Sequence, residues 1–270
     1  MRSNSIRTFL LATLLAGVAT TAFAGVDISI TIAPPALPVY TQPVIPGDGY
    51  IWTPGYWAYG VEGYYWVPGT WVLAPRPGLL WTPGYWGFAG GFYGWHAGYW
   101  GPHIGFYGGV NYGFGYGGVG FFGGRWEGGH FAYNTAVANV NTTVIHNTYI
   151  DRTVINNTTV NRTSFNGPNG VQAQPTAQER TAMNEQHVAP TEAQASHEHA
   201  ASMDRTQLAS VNHGRPANAA VSHPIAPAAA AHPQAAQAKA NPQQAKAQAK
   251  AQPKAKPAPR PAERPAEEKR

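Results

Sequence analysis

The sequence predicts an all-β protein: an antiparallel β-meander of short hairpin repeats with one aromatic face, followed by short helices and a disordered Ala/Pro/Lys tail. Three observations lead there. Tryptophans recur in pairs around turn residues at near-constant spacing. Of 33 Phe, Trp and Tyr residues, 31 lie between 25 and 165. The last 105 residues hold none, so a core can form only in the first part. Within 270 residues, Gly (31) and Pro (24) are abundant and charged residues make up 11%, well below the roughly one quarter of ordinary domains. Cysteine is absent, which excludes disulfides, thiolate metal sites and cysteine nucleophiles.

Residues 1–24 read as an export address. Arg2 and Arg7 precede the apolar run Phe9 to Val18, which ends in Ala22-Phe23-Ala24, a small-x-small cleavage pattern. The run falls short of the ~20 residues that span a bilayer, and no later segment is long and apolar enough to do so. The expected location is therefore periplasmic, outer-membrane-associated or secreted, without a transmembrane segment after signal cleavage. Val26 to Ile32 alternates cleanly and predicts a strand near the mature N-terminus.

The repeat domain is expected over 25–165. Eight of the nine tryptophans form four Trp-x-x-Gly-x-Trp copies, at 52–57, 66–71, 81–86 and 95–100. Three copies centre on Pro-Gly and the fourth on Ala97-Gly98. Pro sets φ for the second position of a turn, and Gly permits the positive φ of a type II turn at the third. Each copy then reverses the chain and Trp52 faces Trp57. Gly- and Pro-rich reversals at Gly60 to Gly63, Ala74 to Gly78 and Ala89 to Gly91 add Trp57 opposite Trp66, Trp71 opposite Trp81, and Trp86 opposite Trp95. Alternation places Tyr50, Tyr59, Tyr64, Leu73, Leu79, Phe88, Tyr93 and Pro102 on the same face as the indoles. A type II turn fits the twist of a two-residue hairpin less well than the primed types do. The short strands do not match the ~9–11 residues of a membrane barrel strand.

Tyr50-x-Trp52-x-x-Gly55-x-Trp57 and its copies resemble the YXWGXW (WXXGXW) repeat proteins of bacteria. The resemblance runs from Pro34-Pro35 to about Pro216 and implies an exported bacterial protein. It implies no activity, substrate, cofactor or site residue.

Beyond the repeats, Tyr112 to Gly117 alternates aromatic and Gly with period two, as a strand with one bare face or as a Gly-rich loop. Trp126-x-x-Gly129-x-Phe131 reads as a decayed fifth copy. Thr143 to Thr148 is echoed ten residues later by Thr153 to Thr158, and β-branched residues beside Asn predict short strands and turns. In the polar segment 166–215, two capping boxes (Thr176 with Glu179, Thr191 with Gln194) predict helices at about 177–188 and 192–210. The tail 216–270 carries nine Lys or Arg against three Glu, net +6, so the basicity belongs there and not to the aromatic domain.

The chemistry these residues offer is limited. His197-Glu198-His199 is the densest ligand cluster, yet His-x-His on a helix turns the rings roughly 200° apart. Asp27, Asp48, Glu62 and Glu127 form no paired constellation, and no serine sits in a nucleophile elbow. We expect no catalytic site, no metal site and no cofactor. The protein reads as a non-catalytic structural or interaction protein of the bacterial cell envelope. For the row Trp52, Trp57, Trp66, Trp71, Trp81, Trp86, Trp95 and Trp100 two readings stand: a packed core, or an exposed platform stacking on envelope glycan or peptidoglycan. The candidate partners are a cell-wall polysaccharide or an anionic envelope surface met by the basic tail. Export argues against nucleic acid.

Overall fold

Strand β1 (Ser29–Ile30) opens a computed structural model that describes residues 29–155 and 162–224. The leader, the first half of the Val26 to Ile32 strand, residues 156–161 and most of the tail lie outside the described residues. The described ones fall in one compact unit, Met1–Ala228.

The four repeat copies build two long hairpins. The first contains β2 (Tyr50–Thr53), β3 (Tyr56–Gly60), β4 (Gly63–Val67) and β5 (Thr70–Leu73). The second contains β6 (Leu80–Thr82), β7 (Tyr85–Ala89), β8 (Phe92–His96) and β9 (Tyr99–Gly101). In the first, β3 pairs with β4 around the tip and β2 with β5 beyond it, in one continuous register. The second repeats this with β7 on β8 and β6 on β9.

Thus Trp57 faces Trp66 and Trp86 faces Trp95, as the spacing predicts. Trp52, however, faces Trp71 and not Trp57, and Trp81 faces Trp100 and not Trp71. The Pro-Gly centres are not hairpin turns, and the simple meander order does not form. Gly55, Gly69, Gly84 and Gly98 are absent from the positive-φ glycines, so no type II turn is made at any of them. The decayed fifth copy shows the alternative. Its centre is Gly128-Gly129, both at positive φ (55° and 86°), which gives a two-residue turn whose twist suits the strands. There β12 (Gly124–Glu127) folds directly onto β13 (His130–Asn134), with Trp126 opposite Phe131. Proline cannot adopt the first of those conformations, so the chain runs straight through the three Pro-Gly copies, and the Ala97-Gly98 copy, paired strand by strand with the third, does the same. Reversal passes to the tips: Gly60 pairs with Gly63, and Gly90-Gly91 turns the second hairpin. The Ala74 to Gly78 stretch links the two hairpins instead of forming one.

Between the hairpins and the fifth copy, the period-two aromatic stretch is neither one strand nor a loop. It is a tight hairpin of β10 (Asn111–Gly113) and β11 (Tyr116–Gly117) with Phe114 at its turn. The Asn-rich region supplies β14 (Thr148–Tyr149), parallel to β13, and β15 (Phe165–Asn166), parallel to β7. Its ten-residue echo opens, over the described residues, on a repeated turn. Asn141 Oδ1 accepts from the Thr143 amide (3.0 Å) and hydroxyl (2.6 Å), and Asp151 Oδ1 accepts the same pair from Thr153. Strand β1 pairs with β8.

Helices α1 (Ala177–Met183) and α2 (Glu192–Met203) begin at complete capping boxes on Thr176 and Thr191. Helix α2 stops at Asp204, whose side chain accepts the Thr206 amide, so the expected span to 210 is split and a separate turn, α3 (Ala209–Asn212), follows. Ala201 and Leu208 from this stretch pack with Ala58, Tyr65 and Val67, covering the side of the first hairpin opposite its indoles. The Ala219 and Ala220 backbone also joins Gly69, so the ordered packing extends past Pro216.

Candidate functional site

The eight indoles are the protein's interior. Seven of them (Trp52, Trp57, Trp66, Trp71, Trp81, Trp86 and Trp100) are at most 7% exposed, and only Trp95 is half-buried. The row is therefore not presented to solvent as an eight-ring platform. Cross-strand pairing brings the rings together two by two. Trp52–Trp71, Trp57–Trp66, Trp81–Trp100 and Trp86–Trp95 have centroids 5.1–5.3 Å apart with planes inclined by 52–68°. Edge-to-face and tilted contacts of this kind contribute about 0.5–1.5 kcal/mol each beyond area burial.

The glycine of the motif has a steric role that follows from this pairing. A Cβ on Gly55 would lie 2.3 Å from Trp66 Cζ2, and one on Gly69 would lie 2.5 Å from Trp52 Cζ2. In the second hairpin Trp95 covers Gly84 and Trp81 covers Gly98 in the same way. The first tryptophan of each copy thus lies on the glycine of its partner copy. The two backbones also meet there: a Cβ on Gly55 or Gly84 would stand 2.8 Å from the amide nitrogen of Gly69 or Gly98. One copy alone supplies an indole without its floor, so two copies make the closed unit.

The second tryptophan of each copy ties down other chain segments. The Nε1–H of Trp57 donates to Ala36 O (3.2 Å), that of Trp71 to Pro43 O (3.0 Å), that of Trp86 to Trp57 O (2.7 Å) and that of Trp100 to Gln194 Oε1 (2.8 Å). Trp66, a first tryptophan, donates to Ala219 O. Tyr116, fully buried, joins the hairpins at equivalent points: its hydroxyl lies 2.8 Å from Trp81 O and 3.3 Å from Trp52 O. Tyr112 OH donates to Gly84 O, and Tyr40 OH accepts the Gly55 amide. The sequence reading did not single out Tyr40 and missed the bridging role of Tyr116, although the period-two stretch marked Tyr112 and Tyr116 as sharing a side.

A cleft of about 70 Å³ opens where the interrupted centres of both hairpins meet α2. Pro54, Pro68 and Pro83 edge it, and Tyr56, Trp81, Trp95 and Tyr112 contribute rings. Tyr56 stacks on Trp95 at 5.1 Å and 17°. From α2, Glu198 Oε2 accepts the Tyr56 hydroxyl at 3.0 Å, and His197 Nε2 lies 2.8 Å from Pro68 O. Burial drives the Tyr56 hydroxyl pKa well above its ordinary value, and the Glu198 charge adds to this. Burial lowers the His197 pKa against the raising effect of its bond to Pro68, which keeps the ring neutral at pH 7. Thr70 lines the same cleft, and its Oγ1 is buried without a hydrogen-bond partner among the described residues.

His197 is thus spent on a backbone carbonyl while His199 is exposed, so the His-Glu-His cluster does not converge. Among the described residues no group of three or more His, Cys, Asp or Glu is placed to hold a metal ion. Of the acids considered from sequence, Glu127 pairs with Arg125 at 2.6 Å, Asp48 and Glu62 are exposed and apart, and Asp27 lies outside the described residues.

Residues 47–72 match the family model of the WXXGXW repeat, in two copies. The matched stretch is the first hairpin almost to its last residue, so the family unit and the closed structural unit coincide. No curated protein and no solved structure matches the chain.

Proposed function

We propose that this WXXGXW-repeat protein is an exported, non-catalytic structural or interaction protein of the bacterial cell envelope. The observation that carries the reading is that the repeat is consumed by its own fold. Its indoles cover glycines, and the second indole of every copy donates its N–H to another segment of the protein. A motif used this way is a framework, and it takes the place that disulfides hold in many small exported domains. The basic leader with its apolar run and small-residue cleavage pattern supports export. The titratable groups of the α2 cleft serve internal bonds to Tyr56 and Pro68, which supports a role without bond chemistry. No helix among the described residues is long and apolar enough to cross a membrane. The net +6 of residues 216–270 suits an anionic envelope surface as partner through exposed, salt-sensitive contacts.

Cell fractionation of the full chain fused to a reporter active only after export tests the location. Co-sedimentation of the mature protein with peptidoglycan and with outer-membrane fractions, with and without residues 229–270, tests the partner. Retention that needs the tail and disappears in salt is expected. A silent reporter, with the fusion protein confined to the cytoplasmic fraction, overturns the proposal.

A further inference from the structure

The cleft beneath α2 holds chemistry that the framework leaves unused. Among the described residues Glu198 is the one acid in its lining, no Lys or Arg lines it, and the single basic side chain, His197, is neutral and bonded to Pro68 O. The partner of Glu198 Oε2 is a neutral hydroxyl, that of Tyr56, and Tyr65 also bonds this carboxylate. These donors satisfy lone pairs but do not neutralise the charge. A half-buried carboxylate among aromatic rings, with no counter-cation among the described residues, is an electrostatic vacancy of defined sign.

We propose that this cleft binds a primary alkylammonium group. Three features of the site select that chemistry. The walls include the rings of Tyr56, Trp81, Trp95 and Tyr112, and aromatic rings beside a carboxylate favour an organic cation over a strongly hydrated metal ion. Thr70, a lining residue only 2% exposed, carries an Oγ1 that has no partner among the described residues and can serve as a second acceptor. An ammonium has three N–H groups to share between such acceptors. A guanidinium fits less well, because it prefers both oxygens of a carboxylate and one already holds the Tyr56 hydroxyl. The cleft, at about 70 Å³, admits a charged head and a short methylene stem. Anions are repelled by Glu198.

A free amine and a lysine side chain in a peptide present the same group, and the experiment separates them. The mature full-length protein is titrated by calorimetry with n-butylammonium chloride, with Nα-acetyl-lysine N-methylamide, and with 1-butanol as the uncharged isostere, at matched ionic strength. Saturable binding of at least one amine, about tenfold or more tighter than butanol, is expected. A stronger response to the lysine derivative identifies a peptide as the source, and a stronger response to butylammonium identifies a free amine. Glu198→Gln keeps the Tyr56 acceptor and is expected to bring amine affinity down to the butanol level. Thr70→Val, which keeps the shape, is expected to weaken the amine severalfold and leave butanol unchanged. Near-UV circular dichroism checks that each variant is folded, and should Glu198→Gln fail that check, Thr70→Val carries the test. Butanol binding as tightly as the amines, amine binding unaffected in the folded variants, or no saturable binding of either amine overturns the proposal.

Discussion

The Trp66 indole lies on the bare Cα of Gly55, where a Cβ would stand 2.3 Å from Cζ2 and 2.8 Å from the Gly69 amide nitrogen. Neither neighbour can retreat, since Trp66 is fully buried and the Gly69 backbone is held by Ala219 and Val221. Gly55→Ala is therefore expected to destabilise by about 1–3 kcal/mol or to prevent folding. Gly94, in β8 of the second hairpin, has nothing within 4 Å of its Cβ position, so Gly94→Ala should stay within about 0.5 kcal/mol. Urea denaturation of both variants checks the contrast. Equal costs would mean that the repeat glycine does not serve to leave space for the indole.

Tyr116 spans the two hairpins through one hydroxyl placed between Trp52 O and Trp81 O. Tyr116→Phe removes this donor inside the core and is expected to cost about 1–3 kcal/mol, the penalty of an unpaired buried polar group. The midpoint of chemical denaturation should fall with its slope unchanged, because packing area is nearly conserved.

Burial of the indoles fixes their emission. The native spectrum is expected to be blue-shifted and mostly resistant to acrylamide, with a quenchable fraction from half-buried Trp95 and Trp126. Trp95→Phe should reduce that fraction, whereas an unchanged quenching curve would contradict the burial of the other rings. Emission quenchable throughout would restore the exposed platform.

Alkali should unfold the protein. Burial raises the hydroxyl pKa of Tyr56, Tyr112 and Tyr116, and that of Tyr65 to about 12. The unfolded value is about 10. With the folded pKa above the unfolded one, the contribution is complete below pH 10 and is lost as pH rises from 10 through the folded value. Each such group lowers stability by about 1.4 kcal/mol per pH unit over that window. Tyrosinate absorbance should then appear cooperatively, together with loss of the near-UV dichroism. Gradual titration near pH 10 in a folded protein would refute the buried hydroxyl network.

For His197 the direction is opposite: burial lowers its pKa below 6.5, so the neutral ring stabilises the fold above that pH. Stability is expected to fall as pH drops from 6.5 through the folded value, and amide exchange in α2 should quicken first. His197→Asn should flatten that dependence.

The strand character of the repeats, their shared aromatic face, the tips at Gly60 to Gly63 and Ala89 to Gly91, and the helix starts at Thr176 and Thr191 were all determined by sequence. These depend on alternation, on local turn chemistry and on caps within four residues, which are properties of short stretches of chain. The partner of each strand was decided only in three dimensions. Spacing allowed Trp52 to face either Trp57 or Trp71, and the choice rested on whether proline could enter a primed turn and on the space a distant glycine leaves for an indole. The α2 cleft was also beyond reach of the sequence, because Glu198 meets Tyr56 across 142 positions. Local rules say which residues reverse the chain or prefer a strand, but contact between remote side chains depends on how the whole core closes.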